Sequence, residues 1–574
     1  MYMTANAPRK KIRLTPGGIA LFIFFTWFIL ACLILPNLNL LKTVFFADGA
    51  FSVEPIMKLL KSKRAMKALG NSFILGPTLS ITVGLVGISL VMLTEYFDIK
   101  GAKILRLGYM TTLIYGGITL VSGYKFIYGN GGFLTKALLQ IFPNMNPSWF
   151  TGYWAVLFVM TFSCTSNHMI FLRNAMRAVD FQTVEAARNM GAGQFYILRR
   201  VVLPVLKPSL FAVTILTFIT GLSAMSAPLL VGGTEFQTIN PMIKTFADTT
   251  SSKDLAALLS LVLGLATMLL LFVMTQIEKR GHYMSVSKVK TKIIKQKISN
   301  PVVNVIAHIY AYVLFVIYVV PVVLIVLFSF TDSKAIGTHT LTLSSFTLDN
   351  YKYLLQSMTN FRPFLVSICY SALAAVIVGA IVVVACRYIQ KHKNRLTSSV
   401  LEYSLMIPWL LPTTMIALGL MMAFNVRRIY MFYQVLTGTM IILLICYVII
   451  KLPFTMRMTK AAFFSLDDAL EDAAKNLGAS GLYTFRRVIF PVILPTVMAI
   501  AALNFNGLIS DYDASAFLYH PLNPTLGVQI KSLTNDMNNP NGMALTFIYA
   551  VLMMIISTVV LYLVYGRGDS KFKE

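Results

Sequence analysis

The sequence predicts an all-α integral membrane protein with about twelve transmembrane helices, arranged as two parallel six-helix repeats. Three observations predict this. First, the 574 residues are 57% hydrophobic and only 12% charged, with a mean hydropathy of +0.73. Soluble domains run at about 45–50% apolar and ~25% charged. Second, the apolar residues gather into runs long enough for a hydrocarbon core of ~30 Å, which needs about 20 residues of helix. Third, one basic segment occurs twice, 287 residues apart. Helices are required because lipid offers the backbone no hydrogen-bond partner. The same composition excludes a disordered chain, a coiled coil and a disulfide scaffold.

Taken in order, the runs lie near 17–36, 72–95, 104–128, 150–172, 209–231 and 255–276, then near 304–330, 364–386, 400–424, 430–450, 495–518 and 545–565. Arg9, Lys10, Lys11 and Arg13 precede the first run. That run is too long for a usual signal core and no small-x-small site follows it, so it reads as an uncleaved span. With the N-terminus placed in the cytoplasm, 33 of the 49 Lys and Arg fall on the inner side and 16 outside. Inner loops are expected to carry that excess. The net charge of +27 is therefore mostly topological, and nucleic acid is not the partner it implies. One outer segment departs from the rule. Lys58, Lys61, Lys63, Arg64 and Lys67 interleave with Ile56, Leu59, Leu60, Met66 and Leu69, as in an amphipathic helix lying on the outer surface.

Residues 180–208 match 467–495 without gaps at 13 of 29 positions. Duplication explains this, and an even number of spans per half makes the halves parallel. Each copy reads helix, turn, helix. Asp180 and Asp467 stand as N-caps. Ala187 with Gly191, and Ala474 with Gly478, form small-residue faces that another surface can approach closely. Gly191 and Gly478 are natural helix ends. Arg199-Arg200 and Arg486-Arg487 follow, then Pro204 and Pro491, each 13 residues past its glycine. The predicted units are 1–276, a basic linker 277–303, and 304–574.

Glu185, Ala186 and Ala187, with Gly191 and Leu203-Pro204 downstream, resemble the EAA motif of ABC-transporter permeases. In the second copy Asp472, Ala473, Ala474, Gly478 and Pro491 stand in register, with Glu471 one position early. The chain thus resembles a fused pair of type I importer permease domains. Span 11 holds Ser510 to Pro521, including Asp511-Tyr512-Asp513, and span 9 holds Pro408 and Pro412. These features resemble permeases for iron(III), sugar phosphates and phosphonates. The resemblance implies a transport subunit, not an enzyme, of a bacterial inner-membrane importer with both termini cytoplasmic. It also implies that Glu185, Ala186, Ala187, Gly191, Asp472, Ala473, Ala474 and Gly478 couple to two ATPase subunits, and that an outer binding protein delivers the solute. The implied solute is iron(III) or a small anionic or phosphorylated compound.

No Gly precedes a Lys, so the chain has no G-x-x-x-x-G-K-[ST] phosphate loop. ATP and Mg would be used by partner subunits, and no cofactor is expected on this chain. Acids within spans are costly and face cavities or partners. Asp511 and Asp513, with Tyr512 and Asn506, are therefore the candidate lining of a translocation path, and their first-half equivalents are Ala224 and Ser226. His168 and Asn167 read as core hydrogen-bonding groups, and Arg427-Arg428 as the cap of an outer turn. Cys32, Cys164, Cys369, Cys386 and Cys446 read as small buried hydrophobes, and none has metal-ligand spacing. The linker, with seven bases in 279–297, reads as an anchor to anionic membrane lipid. Two rival classes are a twelve-span carrier driven by an ion gradient and a membrane enzyme. The first needs more intramembrane charge and the second a cluster of His, Asp or Glu.

Overall fold

A computed structural model describes residues 16–46, 49–176, 179–280, 295–338, 340–392, 395–535 and 540–566. Among them there is no strand, and ten helices are long and apolar enough to cross a membrane. They are spans 1 (Ile19–Phe45), 2 (Lys63–Tyr96), 4 (Tyr153–Met176), 5 (Gln194–Leu222), 6 (Thr250–Val273), 7 (Pro301–Ser329), 8 (Met358–Lys391), 10 (Met440–Phe464), 11 (Gly481–Ile509) and 12 (Asn541–Val564). Two bent pairs bring the number to twelve. Span 3 is Ala102–Leu113 with Gly117–Ile141, bent by 113°, and span 9 is Leu396–Leu410 with Thr413–Ala423, bent by 104°.

The bends differ from the straight spans expected, and each has a local cause. Pro412, the N-cap of Thr413–Ala423, has no N–H to continue the preceding helix. In span 3 the break falls at Gly116-Gly117, where Gly117 takes φ +58, a left-handed conformation most residues avoid. Spans 5 and 11 start 15 and 14 residues earlier than hydropathy suggested, at Gln194 and Gly481, and end at Leu222 and Ile509. Pro204 and Pro491 do not interrupt them. Each stands just past a π turn within a continuing helix, and that local widening takes up the break a missing N–H makes in the hydrogen-bond ladder. The outer basic segment also divides. Glu54–Lys61 is a separate amphipathic helix with Pro55 and Leu59 buried, whereas Lys63, Arg64 and Lys67 begin span 2.

The halves are intertwined. Span 1 packs on span 9, where Gly419 lies against the Pro36 carbonyl and Leu40, and Trp27 Nε1 donates to the Tyr430 carbonyl at 2.8 Å. Span 7 packs on span 3 in the matching way, and the Tyr109 hydroxyl donates to the Ala311 carbonyl at 2.7 Å. Small residues permit this approach. A Cβ at Gly123 would lie 2.6 Å from Ile325 Cδ1, and one at Gly108 would overlap the Phe315 ring. Arg428 donates to the Ala423 carbonyl at 3.2 Å and so caps the outer end of span 9. Cys32, Cys386 and Cys446 are buried, but Cys164 is only half-buried and Cys369 is exposed, contrary to expectation. Residues 281–294, most of the expected lipid anchor, and the N-terminal bases lie outside the described residues.

Candidate functional site

The duplicated segment folds twice into the same elbow. The Asp180 carboxylate accepts from Gln182 N at 3.0 Å and opens the helix Phe181–Asn189, while Asp467 accepts from Ala469 N at 2.9 Å and opens Asp468–Asn476. Gly191 and Gly478 end these helices at φ +83 and +78. Ala192 N donates to the Ala187 carbonyl and Gly191 N to Arg188 at 3.0 and 2.9 Å, and Ala479 and Gly478 repeat the pattern on Ala474 and Lys475. Those paired bonds satisfy the last carbonyls of each helix in a Schellman motif, which needs a left-handed residue. A short helix follows (Gln194–Ile197, Gly481–Thr484), then a π turn (Leu198–Val202, Phe485–Ile489), then the long part of span 5 or 11. The chain thus turns into the span through an unbroken run of short helix, π turn and long helix.

The small-residue face expected on each elbow is not an open surface. Ala187 and Ala474 are each 9% exposed and pack against their own chain, whereas Gly191 and Gly478 are exposed. The reason is helical phase: the alanine faces inward and the glycine lies past the helix end. The exposed surface is apolar instead. Met190, Phe195 and Tyr196 are 80%, 74% and 59% exposed, and Leu477, Leu482 and Tyr483, at the same repeat positions, are 88%, 78% and 59% exposed. Glu185, Ala186, Asp472 and Ala473 are exposed beside them. Asp472, and not Glu471, occupies the outward place of Glu185. Glu471 turns inward and accepts from Arg387 of span 8 at 2.8 Å, where the first copy has the buried Val184.

That hydrogen bond, with the Arg387 charge, holds the Glu471 carboxyl below the usual carboxylate range. The stability it adds is present above that range and is lost as pH falls through the lowered pKa. Both side chains are mostly buried, at 11% and 19% exposure. Breaking a fully buried pair costs about 3–5 kcal/mol, and this partly wet one about 1–2 kcal/mol. Glu471→Gln is expected to raise amide exchange in Asp468–Asn476 roughly tenfold at pH 7, with no change in the first elbow. Ion pairs also join the spans beside each elbow. Glu95 is buried between Arg106 and Arg173, at 3.2 and 3.0 Å, and Glu402 pairs with Lys460, the repeat equivalent of Arg173.

Between the halves lies a cavity of about 770 Å³. The break in span 3, span 4 from Met160 to Ile170, and residues 220–227 form one wall, and residues 503–513 with span 12 form the other. Asn506, Asp511, Tyr512 and Asp513 all line it, as do Ala224 and Ser226 opposite, and Asn167. Both acids follow the end of span 11 at Ile509. Asp511 accepts from Ser515 N at 3.1 Å, and Asn506 Nδ2 donates to the Ser557 carbonyl at 3.4 Å. Thr112 is 7% exposed, lines the cavity and has no hydrogen-bond partner for its hydroxyl. His168 is fully buried behind this wall, against Gly87. Lys451 is not the inner-flank base that hydropathy suggested. Span 10 continues to Phe464, which places Lys451 at mid-span, with its Nζ 2.9 Å from the Cβ position of Gly507 and within electrostatic reach of Asp511. The described residues hold no group of three or more His, Cys, Asp or Glu that could bind a metal.

Comparison with known proteins accords with this geometry. Residues 18–280 and 375–573 match the family model "Binding-protein-dependent transport system inner membrane component". The probable ABC transporter permease protein y4fN of Sinorhizobium fredii is 38% identical over 540 residues, covering 94% of each chain. The ferric transport system permease protein FbpB of Actinobacillus pleuropneumoniae is 22% identical over 97% of this chain and 78% of its own. The putative 2-aminoethylphosphonate permease PhnV of Salmonella typhimurium is 28% identical over 150 residues, 26% of this chain and 55% of PhnV. With the family model matched in both halves and a full-length permease relative, this multi-pass membrane chain belongs to the binding-protein-dependent ABC transporter permeases.

Proposed function

We propose that this chain forms the membrane permease of an ATP-driven importer, with residues 1–276 and 304–574 as two permease units joined by the linker 277–303. The reading rests above all on the two matching elbows, each with the same order of helices and each presenting an exposed apolar patch at the turn into a span. Each elbow docks one separate ATPase subunit, and those subunits bind and hydrolyse ATP with Mg. Closure of the ATPases moves the elbows, and spans 5 and 11 carry that movement to the cavity, which opens outward to a solute-binding protein. Hydrolysis resets it inward. Both termini lie in the cytoplasm of a bacterial inner membrane.

The cavity carries the solute. FbpB and PhnV are named for ferric iron and 2-aminoethylphosphonate, and either iron(III) or a small phosphorylated or anionic solute suits the family relationship. Asp513, whose charged neighbour is Asp511, lines the path and contacts the solute. With iron(III) as the solute, a charge-assisted contact contributes about 1.5–3 kcal/mol, so Asp513→Asn is expected to slow its uptake roughly tenfold or more while leaving ATPase capture unchanged. Equal uptake by the variant would remove Asp513 from the path.

The docking reading is tested by purifying the chain from its native membrane in mild detergent. Two ATPase subunits per chain are expected by native mass measurement. A chain that purifies alone and accumulates solute in vesicles under a proton or sodium gradient would be a carrier instead.

A further inference from the structure

The first elbow is tied to the second half of the protein, and among the described residues the second elbow has no corresponding tie. Residues 295–299 run between the loop after span 2 and the first elbow. Gln296 N donates to the Tyr96 carbonyl at 2.8 Å, and Asp98 N donates to the Gln296 carbonyl at 3.0 Å. The Gln296 side chain, in a residue 3% exposed, accepts from the Arg188 guanidinium on the elbow helix. Gln194, which opens the short elbow helix, donates to the Lys297 carbonyl and accepts from Ser299 N at 3.3 Å. Asn300 then caps span 7, accepting from Val302 N at 2.9 Å. The same loop meets span 7 again further along, where Lys100 N donates to His308 Nε2 at 3.2 Å and the Tyr312 hydroxyl donates to the Lys100 carbonyl at 3.1 Å.

The second elbow lacks the groups for this arrangement. Gly481 stands where Gln194 does and has no side chain. Lys475 stands where Arg188 does and pairs with Glu471 of its own helix at 3.3 Å. That elbow is held instead by Arg387 of span 8, within its own half.

We propose that residues 295–299 are a strap that hands movement of the first elbow across to span 7, so that one ATPase contact drives both halves of the bundle. Arg188, Gln194 and Gln296 are its positioning residues. A buried residue whose side-chain oxygen pairs with a guanidinium while its backbone N–H and carbonyl pair with the loop after span 2 transmits displacement, because separating any member strands polar groups away from water. The strap is independent of which solute the cavity takes, but it rests on the elbows docking ATPases.

The experiment uses the full chain with its co-purified ATPases in proteoliposomes. A cysteine placed at Ser226, on the cavity wall, is labelled by a membrane-impermeant maleimide from the outer side, with the parent chain as background. MgATP is expected to accelerate labelling in the otherwise natural chain. In a Gln194→Gly, Gln296→Leu double variant, ATPase capture and ATP hydrolysis are retained, and the acceleration per ATP hydrolysed falls roughly tenfold, as the loss of a few ordinary hydrogen bonds would cause. Gln296→Glu, which keeps a side-chain oxygen to accept from Arg188, retains the acceleration. A purely structural role would lower ATPase capture and labelling together. If the double variant shows full acceleration while amides in 295–299 exchange at least about tenfold faster, the strap is overturned. If the natural chain captures no ATPase, the docking reading fails, and the strap falls with it as a separate and recognisable result.

Discussion

Aspartate at both Phe195 and Leu482 is expected to abolish capture of ATPase subunits and uptake, while the chain still inserts and folds. Neither side chain supports its own fold, since they are 74% and 78% exposed. A partner that covers them gains about 1.5–3 kcal/mol per large apolar side chain. A carboxylate in the same place must lose its hydration on docking, which adds a further cost of several kcal/mol if it finds no partner. At about 1.4 kcal/mol per tenfold, each elbow loses on the order of a thousandfold in affinity. The single variants should each release one of two ATPases, because the elbows are separate sites. Native mass of the detergent-extracted complex reads the result directly. Full occupancy in the double variant would show that the apolar patches face something other than an ATPase.

Valine at Gly221 should be severely damaging to the packing of the bundle. Spans 2 and 5 approach here backbone to backbone. A Cβ at Gly221 would lie 2.8 Å from Gly76 Cα, 3.2 Å from Gly76 N and 3.3 Å from the Leu75 carbonyl. None of those atoms belongs to a side chain that can swing aside, so the helices must separate. Overpacking of this kind costs about 1–3 kcal/mol and more where backbone must move, and here it also strips the neighbouring contacts. We expect a cost above ~3 kcal/mol and a steep fall in folded chain recovered from the membrane. Gly76→Ala is the informative contrast. Its Cβ would meet the edge of the Phe218 ring at 3.2 Å, which can rotate, so the loss should be small. Thermal unfolding of the two variants in detergent separates these outcomes.

Much of this architecture was legible in the residues because the signals are local. Asp180, Gly191 and Pro204, and their copies, mark cap, turn and helix entry through their own backbone chemistry, and the elbows follow them to the residue. Asp511 and Asp513 stood out because charge is rare in apolar runs. The bends were not legible, since hydropathy measures how long a run is and not which way its axis points. Pro412 gave a hint, whereas Gly116-Gly117 looked like any other glycines in a span. The exposed apolar patches on the elbows were missed for a related reason. In a chain this apolar, Met190 or Phe195 offers no contrast, and only the folded surface shows them bare. Lys451 was misplaced because it sits between apolar Ile450 and Leu452-Pro453, which looked like the close of a span but lies in its middle.

The crossed packing of the halves bears on how the protein is made. The surface of span 3 around Gly108 and Gly123 is covered by Phe315 and Ile325, roughly 200 residues further along the chain. At a synthesis rate of about 5–20 residues per second, the ribosome needs on the order of 10–40 seconds to supply that cover. During this interval the nascent amino-terminal portion sits in the bilayer with lipid filling a groove meant for helix. Premature termination in the second portion should therefore leave an orphan that quality-control proteases remove, rather than a working half-transporter.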